Sequence, residues 1–481
     1  MISAFLREQK RYTLEELSSI MSCSEETSVS ILRILKEYGI LKAVKANDRQ
    51  KDMSDLFDED IAVADVDPGR SDLYYVLTFV GVIAVAGRVL KCYPKYLLTN
   101  ESPVRELGQI LKVLERYNSK EQIIKLFNDS DNSRSFNLLA VLLFLLTDYY
   151  ENGSYSNTED VIESNGPGVI LWDKTINETF ALLNNNRPFY IDLQTKRRVF
   201  NDYDYFKRLH ECVLTRASKE LYEANLLDLF EITEVNLSDE LLEDFGDKDY
   251  ILYRIEKELS IQFNTRKQLV LKTLYAYIDQ NSSLQDIDCL SLFGTNSFNL
   301  VWESVCAEIL NNQLNTCLGD LSLPVPLRPQ YSKSIKLMDL IEKPFWSAAE
   351  RYAMSTLIPD IVTIVQNKGE YKFAIFDAKY YSAQLHTGSL PKGQPGIESI
   401  TKQYMYQVVF HDFIKDHSIQ DIQNCFVFPT EEATIVDKGF VRLDCMRVLG
   451  LEDIQVRLFP ASLAFNLYLS AKKYDQIGLL L

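Results

Sequence analysis

Two aspartates and a lysine stand out in a stretch that otherwise has the pattern of a hydrophobic hairpin. Asp360, Asp377 and Lys379 lie in LIPDIVTIVQNKGEYKFAIFDAKYY, residues 357–381. Two carboxylates that reach one point can bind a hard divalent cation, Mg²⁺ or Mn²⁺, because these ions prefer oxygen ligands. The cation would lower the pKa of a bound water and neutralise phosphate charge, while the lysine orients the nucleophile or stabilises the added negative charge. These residue types therefore predict hydrolysis of a phosphodiester.

Two strands must position this set. Runs of β-branched and aromatic residues lie on either side of a turn at Lys368 and Gly369. A turn centred on those two residues places Asp360 directly opposite Asp377, with Cβ atoms roughly 5 Å apart. Like charges opposed in this way are destabilising, so we expect a cation between them. Lys379 follows Asp377 by two residues and should share its face of the strand.

The residues Pro359-Asp360 and Asp377-Ala378-Lys379 resemble the active-site motif of the PD-(D/E)xK nuclease superfamily. The motif is short, and a surface hairpin with an ordinary Asp–Lys pair would also contain it. The resemblance implies that the two aspartates hold Mg²⁺, that the Ala378 carbonyl is a further ligand, and that Lys379 positions or activates water.

Two flanking helices extend the resemblance. Residues 398–410, ESITKQYMYQVVF, are predicted to be helical, with Gln403 and Gln407 one turn apart. This is similar to the glutamine-bearing helix that follows the catalytic hairpin in many such nucleases, and it implies that Gln403 steadies the lysine or the DNA. Residues 298–310, FNLVWESVCAEIL, form an amphipathic helix with Glu303. An acid on the helix before the sheet often completes the superfamily's metal site, so Glu303 is a candidate ligand; a solvent-exposed glutamate is the alternative.

The composition predicts an ordinary globular protein. The 481 residues are 46% hydrophobic and 25% charged, which leaves room for two to four domains. The longest apolar run, residues 138–146, is too short to span a bilayer, and the N-terminus lacks the pattern of a signal peptide. The eight cysteines form no CxxC pair, so neither a zinc finger nor a disulfide framework is indicated. We expect a soluble cytoplasmic protein with no membrane association.

The net charge of −17 has the wrong sign for a protein that grips DNA by itself. The acid is unevenly spread, because residues 220–258 hold 13 Asp and Glu against three Lys and Arg, whereas residues 328–417 hold nine against 11. The segment with the candidate site can therefore approach a phosphate backbone. We expect weak DNA binding unless a partner supplies a basic surface.

The N-terminus predicts a winged helix-turn-helix. Thr13 and Glu16 have capping-box spacing, Ser24 can cap a second helix that closes at Gly39, and residues 40–44 suit a wing strand. This second helix offers few cations, and an acidic loop follows at residues 48–72. DNA reading and protein docking or a purely structural role both remain open.

Segments along the middle of the chain carry a closer resemblance. FVGVIAVAGRVLKCYPKYL, residues 79–97, is similar to a segment near the start of McrC-type restriction subunits. GVILWDKTIN, RPFY and DYFKRLHE, with the C-terminal hairpin, resemble the LlaJI restriction endonuclease family. GVILWDKTIN and RPFY lie within residues 166–193, a stretch that is predicted to form strands and turns. The similarity runs from about Tyr74 to the C-terminus.

The LlaJI resemblance implies a restriction subunit that cuts double-stranded DNA together with an McrB-like AAA+ GTPase, with a DNA methyltransferase as a further partner in the same system. The chain has neither GxGxxG nor GxxxxGK[ST], so a nucleotide site must come from the partner. A non-catalytic DNA- or protein-binding adaptor with a nuclease-like scaffold is the alternative, and a winged-helix regulator would explain only the first tenth of the chain.

Together these patterns predict a multidomain α/β protein. A winged helix-turn-helix domain is expected at residues 1–70, a mixed α/β McrC-like region that binds the partner at residues 71–280, and a PD-(D/E)xK nuclease domain with a restriction-endonuclease-like fold at residues 281–481.

Overall fold

The computed structural model describes residues 1–45, 73–118, 137–185, 187–200, 204–287, 289–367, 369–381, 385, 387–388, 390–391, 393–475 and 479. The protein is a mixed α/β chain with several sheets, as expected. It divides into two compact units, one of Met1 and Arg134–Ser291, the other of Ile2–Ser133 and Leu292–Leu481. Within the described ranges, no helix is both long enough and apolar enough to cross a membrane.

The strands in chain order are β1 (Ile2–Arg7), β2 (Arg11–Tyr12), β3 (Leu41–Lys45), β4 (Leu73–Leu77), β5 (Val80–Val85), β6 (Arg88–Tyr93), β7 (Thr158–Ser164), β8 (Val169–Ile170), β9 (Ala181–Asn184), β10 (Arg187–Tyr190), β11 (Gln194–Phe200), β12 (Leu290–Thr295), β13 (Phe345–Trp346), β14 (Arg351–Tyr352), β15 (Ile361–Asn367), β16 (Glu370–Ala378), β17 (Asp421–Thr430), β18 (Val436–Val441) and β19 (Ile454–Pro460).

The α-helices are α1 (Leu14–Ile20), α2 (Glu25–Glu37), α3 (Val104–Asn118), α4 (Leu138–Asn152), α5 (Trp172–Glu178), α6 (Tyr205–Glu223), α7 (Leu227–Phe230), α8 (Lys248–Ile261), α9 (Thr265–Gln280), α10 (Phe298–Ile309), α11 (Ile397–Val409), α12 (His411–Asp416), α13 (Asp444–Val448) and α14 (Ala461–Leu469).

The unit of residues 134–291 has a helical core. Helix α4 packs against α6 and α9, and α9 packs against α8. A three-stranded sheet in the order β7-β11-β8 and the separate hairpin β9–β10 complete this unit. The expectation of strands and turns over residues 166–193 is wrong at α5, because a helix of seven residues spans only two turns and its periodicity does not stand out in sequence.

In the other unit, two helices joined by a short turn follow strands β1 and β2. Thr13 and Glu16 form the predicted capping box at α1, and Ser24 caps α2 through the Thr27 N–H. Strand β3 pairs antiparallel with β4. Its range, Leu41–Lys45, differs by one residue from the wing strand expected at residues 40–44. The acidic loop predicted at residues 48–72 lies outside the described residues.

A four-stranded sheet in the order β1-β6-β5-β12 combines a strand that precedes the N-terminal helices, β1, with three strands that come after them. Strand β1 pairs parallel with β6, and β6 pairs antiparallel with β5. Two glycines allow a close approach of β5 and β12, because a Cβ on Gly81 would lie 2.1 Å from the Phe293 carbonyl oxygen. A Cβ on Gly294 would lie 2.2 Å from the Val80 carbonyl oxygen, so neither position accepts a side chain without backbone movement.

A five-stranded mixed sheet in the order β15-β16-β17-β19-β18 carries the candidate site. The β15–β16 hairpin is antiparallel, β16, β17 and β19 are parallel, and β18 returns antiparallel. Helix α11 packs against β16, β17 and β19, while α10 packs against β16 and α14. The last six residues of β16 are all buried, so this end of the strand, which carries Asp377 and Ala378, lies inside a covered sheet.

Candidate active site

The predicted hairpin register is observed. Ile361 pairs with Phe376, which is the pairing that places Asp360 opposite Asp377 one step beyond the ladder. The Asp360 carboxylate reaches across to the partner strand, where its Oδ2 accepts the Ala378 backbone N–H at 3.0 Å. The two aspartates therefore lie side by side at the end of the hairpin.

Lys379 also occupies the predicted position. Its Nζ lies 2.9 Å from Asp377 Oδ1, as expected for residues two apart on one face of a strand. Its backbone N–H donates to the Val427 carbonyl oxygen at 2.9 Å, which extends the parallel pairing with β17 past the end of β16. The main chain is thus fixed at the residue that carries the ammonium group.

Helix α10 brings Glu303 to the same place. Trp302, which is fully buried, directs its Nε1 at the Val427 carbonyl oxygen at 3.5 Å and so anchors the helix on the strand end beside Lys379. Glu303 is half-buried, and its carboxylate interacts electrostatically with Asp360 and Lys379. The alternative of a fully solvent-exposed glutamate does not describe this position.

The acids strongly perturb one another. Burial, then the charge of Asp360, raise the pKa of Asp377 to about 8, although Lys379 opposes this shift. Burial and the same Asp360 charge raise the pKa of Glu303 to about 7. For Lys379, burial lowers the pKa, but Asp377 and then Asp360 outweigh it, and the net direction is upward. Three carboxyl groups thus compete for the positive charge of a single lysine.

This imbalance bears on whether a cation fits. Asp377 Oδ1 is buried and has no directed hydrogen bond from any described residue; its neighbour is the Lys379 ammonium. A divalent ion would supply the positive charge that the cluster lacks, with Asp360 and Asp377 as oxygen ligands. Yet across the described part of the chain no three His, Cys, Asp or Glu side chains are close enough to form a metal-binding group. The donor set therefore fits a cation on the two aspartates, and Glu303 as a third ligand stays a prediction.

The Gln403 side chain is more completely buried than the aspartates and the lysine of the candidate site. It is fully buried, and its Nε2 donates to Asn424 Oδ1 at 2.6 Å and, with a longer contact of 3.4 Å, to the Ile375 carbonyl oxygen on β16. Gln407 exchanges two hydrogen bonds of 2.9 Å with the backbone of Glu452. Gln403 thus fastens α11 to the sheet and Gln407 fastens it to the loop before β19, and a contact of Gln403 with the lysine or with DNA stays a prediction.

Sequence reasoning missed Asn312, which holds the backbone around Asp360. Its Nδ2 donates to the Asp360 carbonyl oxygen at 2.9 Å, and its Oδ1 accepts the Val362 N–H at 3.1 Å. The side chain replaces a neighbouring strand at the edge of the hairpin. No local signal marks it, because Asn312 lies in a loop 48 residues before its partner.

The comparisons with known proteins place the chain in a family of restriction endonucleases. A sequence model of the LlaJI restriction endonuclease matches residues 79–462. The protein belongs to the LlaJI restriction endonuclease family. The N-terminal helices α1 and α2 lie outside the matched range.

One curated relative is the Type II restriction enzyme BsuMI component YdjA of Bacillus subtilis (strain 168). It is 26% identical over 406 residues, which cover 83% of this chain and 82% of the relative.

Two solved structures resemble the fold at a distance. A half-complex from the tetradecameric assembly of Thermococcus gammatolerans McrB AAA+ hexamers with bound McrC matches with a TM-score of 0.38 and 12% identity, over 98% of this chain and 99% of that one. The Thermococcus gammatolerans McrBC complex matches with a TM-score of 0.24 and 11% identity, over 63% and 84%. At TM-scores below 0.5 these resemblances support no conclusion about partners.

Proposed function

We propose that this chain is the nuclease subunit of a restriction system that protects against phage, and that it cleaves double-stranded DNA in a Mg²⁺-dependent reaction. The observation that carries the proposal is the opposed pair Asp360 and Asp377 at the end of one hairpin, with the Lys379 ammonium 2.9 Å from Asp377 Oδ1. Membership of a restriction endonuclease family supports the reaction class.

Each site residue has a role in this proposal. Asp360 and Asp377 would hold Mg²⁺, with Mn²⁺ able to substitute, and the Ala378 carbonyl and Glu303 would complete the ligands. The bound cation would supply an activated water and neutralise phosphate charge. Lys379, held by Asp377, orients the attacking water or stabilises the negative charge that develops on the phosphate.

For Gln403 the supported role is indirect. Its hydrogen bonds to Asn424 on β17 and to the Ile375 carbonyl on β16 hold together the two strands whose ends carry the site. We propose that Gln403 steadies Lys379 through this sheet.

The fold supports finer assignments. The mixed five-stranded sheet, with Glu303 on the helix before it and Gln403 on the helix after the hairpin, has the elements of a PD-(D/E)xK restriction-endonuclease-like domain. Helices α1 and α2 with the β3–β4 pair have the elements of a winged helix-turn-helix. The three-domain division at residues 1–70, 71–280 and 281–481 remains part of this proposal.

A partner is required by the charge of the chain. A net charge of −17 opposes the counterion release that drives nonspecific DNA binding. We therefore propose an McrB-like AAA+ GTPase as the partner, together with a cytoplasmic location and a DNA methyltransferase in the same system.

An exposed apolar hairpin supports a partner contact within residues 74–193. Phe180, Leu183 and Phe189, at and around β9–β10, are 97%, 72% and 62% exposed. Contiguous apolar surface of this kind marks interaction sites in soluble proteins.

A reconstitution experiment tests the proposal. GTP hydrolysis and DNA cleavage are measured for the purified chain, the McrB-like GTPase and their mixture, with wild-type and Lys379→Ala protein. Lys372→Ala is the matched control, because Lys372 lies on β16, the strand that ends directly before Lys379, is similarly exposed, and pairs with Asp421. We expect DNA cleavage only in the mixture. Lys379→Ala should abolish cleavage and Lys372→Ala should retain it, while the wild type and both variants should stimulate GTP hydrolysis. Efficient cutting by the isolated chain without nucleotide would contradict the partner model.

A non-catalytic adaptor is the second candidate, and two observations favour it. The Lys379 ammonium already lies 2.9 Å from Asp377 Oδ1, and the described residues contain no group of three metal-ligating side chains. Titration calorimetry with Mn²⁺ on the wild type and on Asp377→Asn separates the two functions. A nuclease should bind the ion more tightly than the variant does, whereas a non-catalytic scaffold should bind it no better.

A further inference from the structure

The residue that follows the site lysine is a buried tyrosine. Tyr380 is 7% exposed, and its ring centroid lies 5.2 Å from that of Phe298 and 6.4 Å from that of Tyr96. Phe298 is the first residue of α10, the helix that carries Glu303. Tyr380 therefore contacts the base of that helix directly beside the site.

The Tyr380 hydroxyl donates a hydrogen bond to a carboxylate near the start of the chain. Glu8 follows β1, is 5% exposed, and accepts through Oε2 both this hydroxyl and the Lys95 N–H, the latter at 3.3 Å. The Glu8 backbone N–H donates to the Tyr93 carbonyl oxygen at 2.8 Å. A buried carboxylate is costly unless it is paired, and these bonds offset that cost.

Lys95 supplies the opposite charge inside the same cluster. It is 3% exposed; its Nζ donates to Gln9 Oε1 at 2.9 Å and lies 4.7 Å from the centroid of the Tyr380 ring. Gln9 has a φ of +56°, in the left-handed region that non-glycine residues rarely adopt. Its backbone N–H donates to the Leu77 carbonyl oxygen at 2.8 Å, which holds that conformation.

We propose that Glu8 and Tyr380 are positioning residues for Lys379. This inference rests on the proposed nuclease function and extends it to the N-terminal segment, which would then belong to the support of the active site. The Lys379 main chain is fixed on one side by the Val427 carbonyl and on the other by the anchored Tyr380 side chain. With both ends held, the Lys379 Cα has a defined position from which the side chain reaches Asp377. Because a misplacement of about 1 Å can lower a rate about 100-fold, the anchor contributes to turnover without touching DNA.

The test compares four single variants of the full chain and one double variant. Glu8→Ala and Tyr380→Phe remove the hydrogen bond, and Glu8→Gln keeps an acceptor for the hydroxyl. Tyr12→Phe is the matched control: Tyr12 is also buried in the N-terminal segment, and its hydroxyl oxygen accepts the Arg7 N–H at 2.7 Å.

Two readouts keep this inference separate from the proposed function. The first is hydrogen–deuterium exchange of the Ala378 and Lys379 amides in the isolated chain. The second is the single-turnover cleavage rate and the DNA affinity in the mixture with the GTPase. We expect Glu8→Ala and Tyr380→Phe to speed exchange at least tenfold and to slow cleavage roughly 10- to 100-fold with unchanged affinity.

The pattern among variants decides the outcome. Glu8→Gln should retain cleavage within about threefold of wild type. The Glu8→Ala/Tyr380→Phe double variant should be no slower than Glu8→Ala alone, because Glu8→Ala already removes the one hydrogen bond that Tyr380→Phe removes. Equal effects of Tyr12→Phe, or unchanged exchange in Glu8→Ala, would overturn the anchor. If amide exchange in the variants changes as expected but the wild-type mixture never cuts DNA, the anchor is retained and the nuclease function is rejected.

Discussion

Replacing Asp377 by asparagine should stabilise the metal-free protein, and the gain should grow with pH. The folded-state pKa of Asp377 is raised from 3.8 to about 8, so ionisation costs the folded state stability as the pH rises through that window. Over the roughly three units between 3.8 and neutral pH, at about 1.4 kcal/mol per unit, the upper bound is about 4 kcal/mol at pH 7. Relaxation of the site and water penetration reduce the cost of a buried charge below this bound, so we expect a net stabilisation of about 1–2 kcal/mol.

The assay is urea unfolding of both proteins at pH 5, 6, 7 and 8 at constant ionic strength without divalent metal. Asp421→Asn is the matched control, because Asp421 also pairs with a lysine of β16, at 3.1 Å, but is partly exposed. We expect this control to change the free energy of unfolding by less than about 1 kcal/mol at every pH. An Asp377→Asn protein that is less stable than wild type at pH 8 would refute the description of Asp377 as a buried carboxylate repelled by Asp360.

Three further outcomes follow from the same site. Asp377→Ala or Lys379→Ala should slow cleavage by roughly a thousandfold or more while circular dichroism and partner binding stay normal, and near-normal cutting by Asp377→Ala would remove it from the site. Millimolar Mg²⁺ or Mn²⁺ should raise the melting temperature of the wild type but not of Asp360→Asn, since only the folded state offers the ligands; equal shifts would place the ion elsewhere. Gln403→Ala should cost about 1–3 kcal/mol in denaturant unfolding because the Asn424 side chain loses its buried partner, and a neutral effect would show that the pair is dispensable.

Local pattern was sufficient to predict how the hairpin pairs. The turn at Gly369 and the alternation on either side fixed one register, and that register alone brings Asp360 next to Asp377. Lys379 followed from the two-residue period of a strand. These are short-range properties, and the sequence contains all of the information that they need.

What could not be predicted depends on contacts distant in sequence. Asn312 supports Asp360 from a loop, and Gln403 turns inward to Asn424 because of how α11 rotates against the sheet. The Glu8 cluster has no motif at all, since its members come from three separate segments. Side chains that serve as supports have no characteristic spacing, because only the folded backbone brings them together.

The hydrogen bond between Glu8 and Tyr380 spans 372 residues and so sets an order of events during synthesis. At about 5–20 residues per second, a ribosome needs roughly 20–75 s to make the intervening chain. The unit that holds the site is interrupted in sequence by the unit of residues 134–291, which can emerge as one continuous stretch before β15 to β19 exist. A truncated product would carry the N-terminal half of the support but none of Asp360, Asp377 and Lys379. A nascent chain therefore holds Asp360, Asp377 and Lys379 together with their N-terminal support only after most of its residues have been translated.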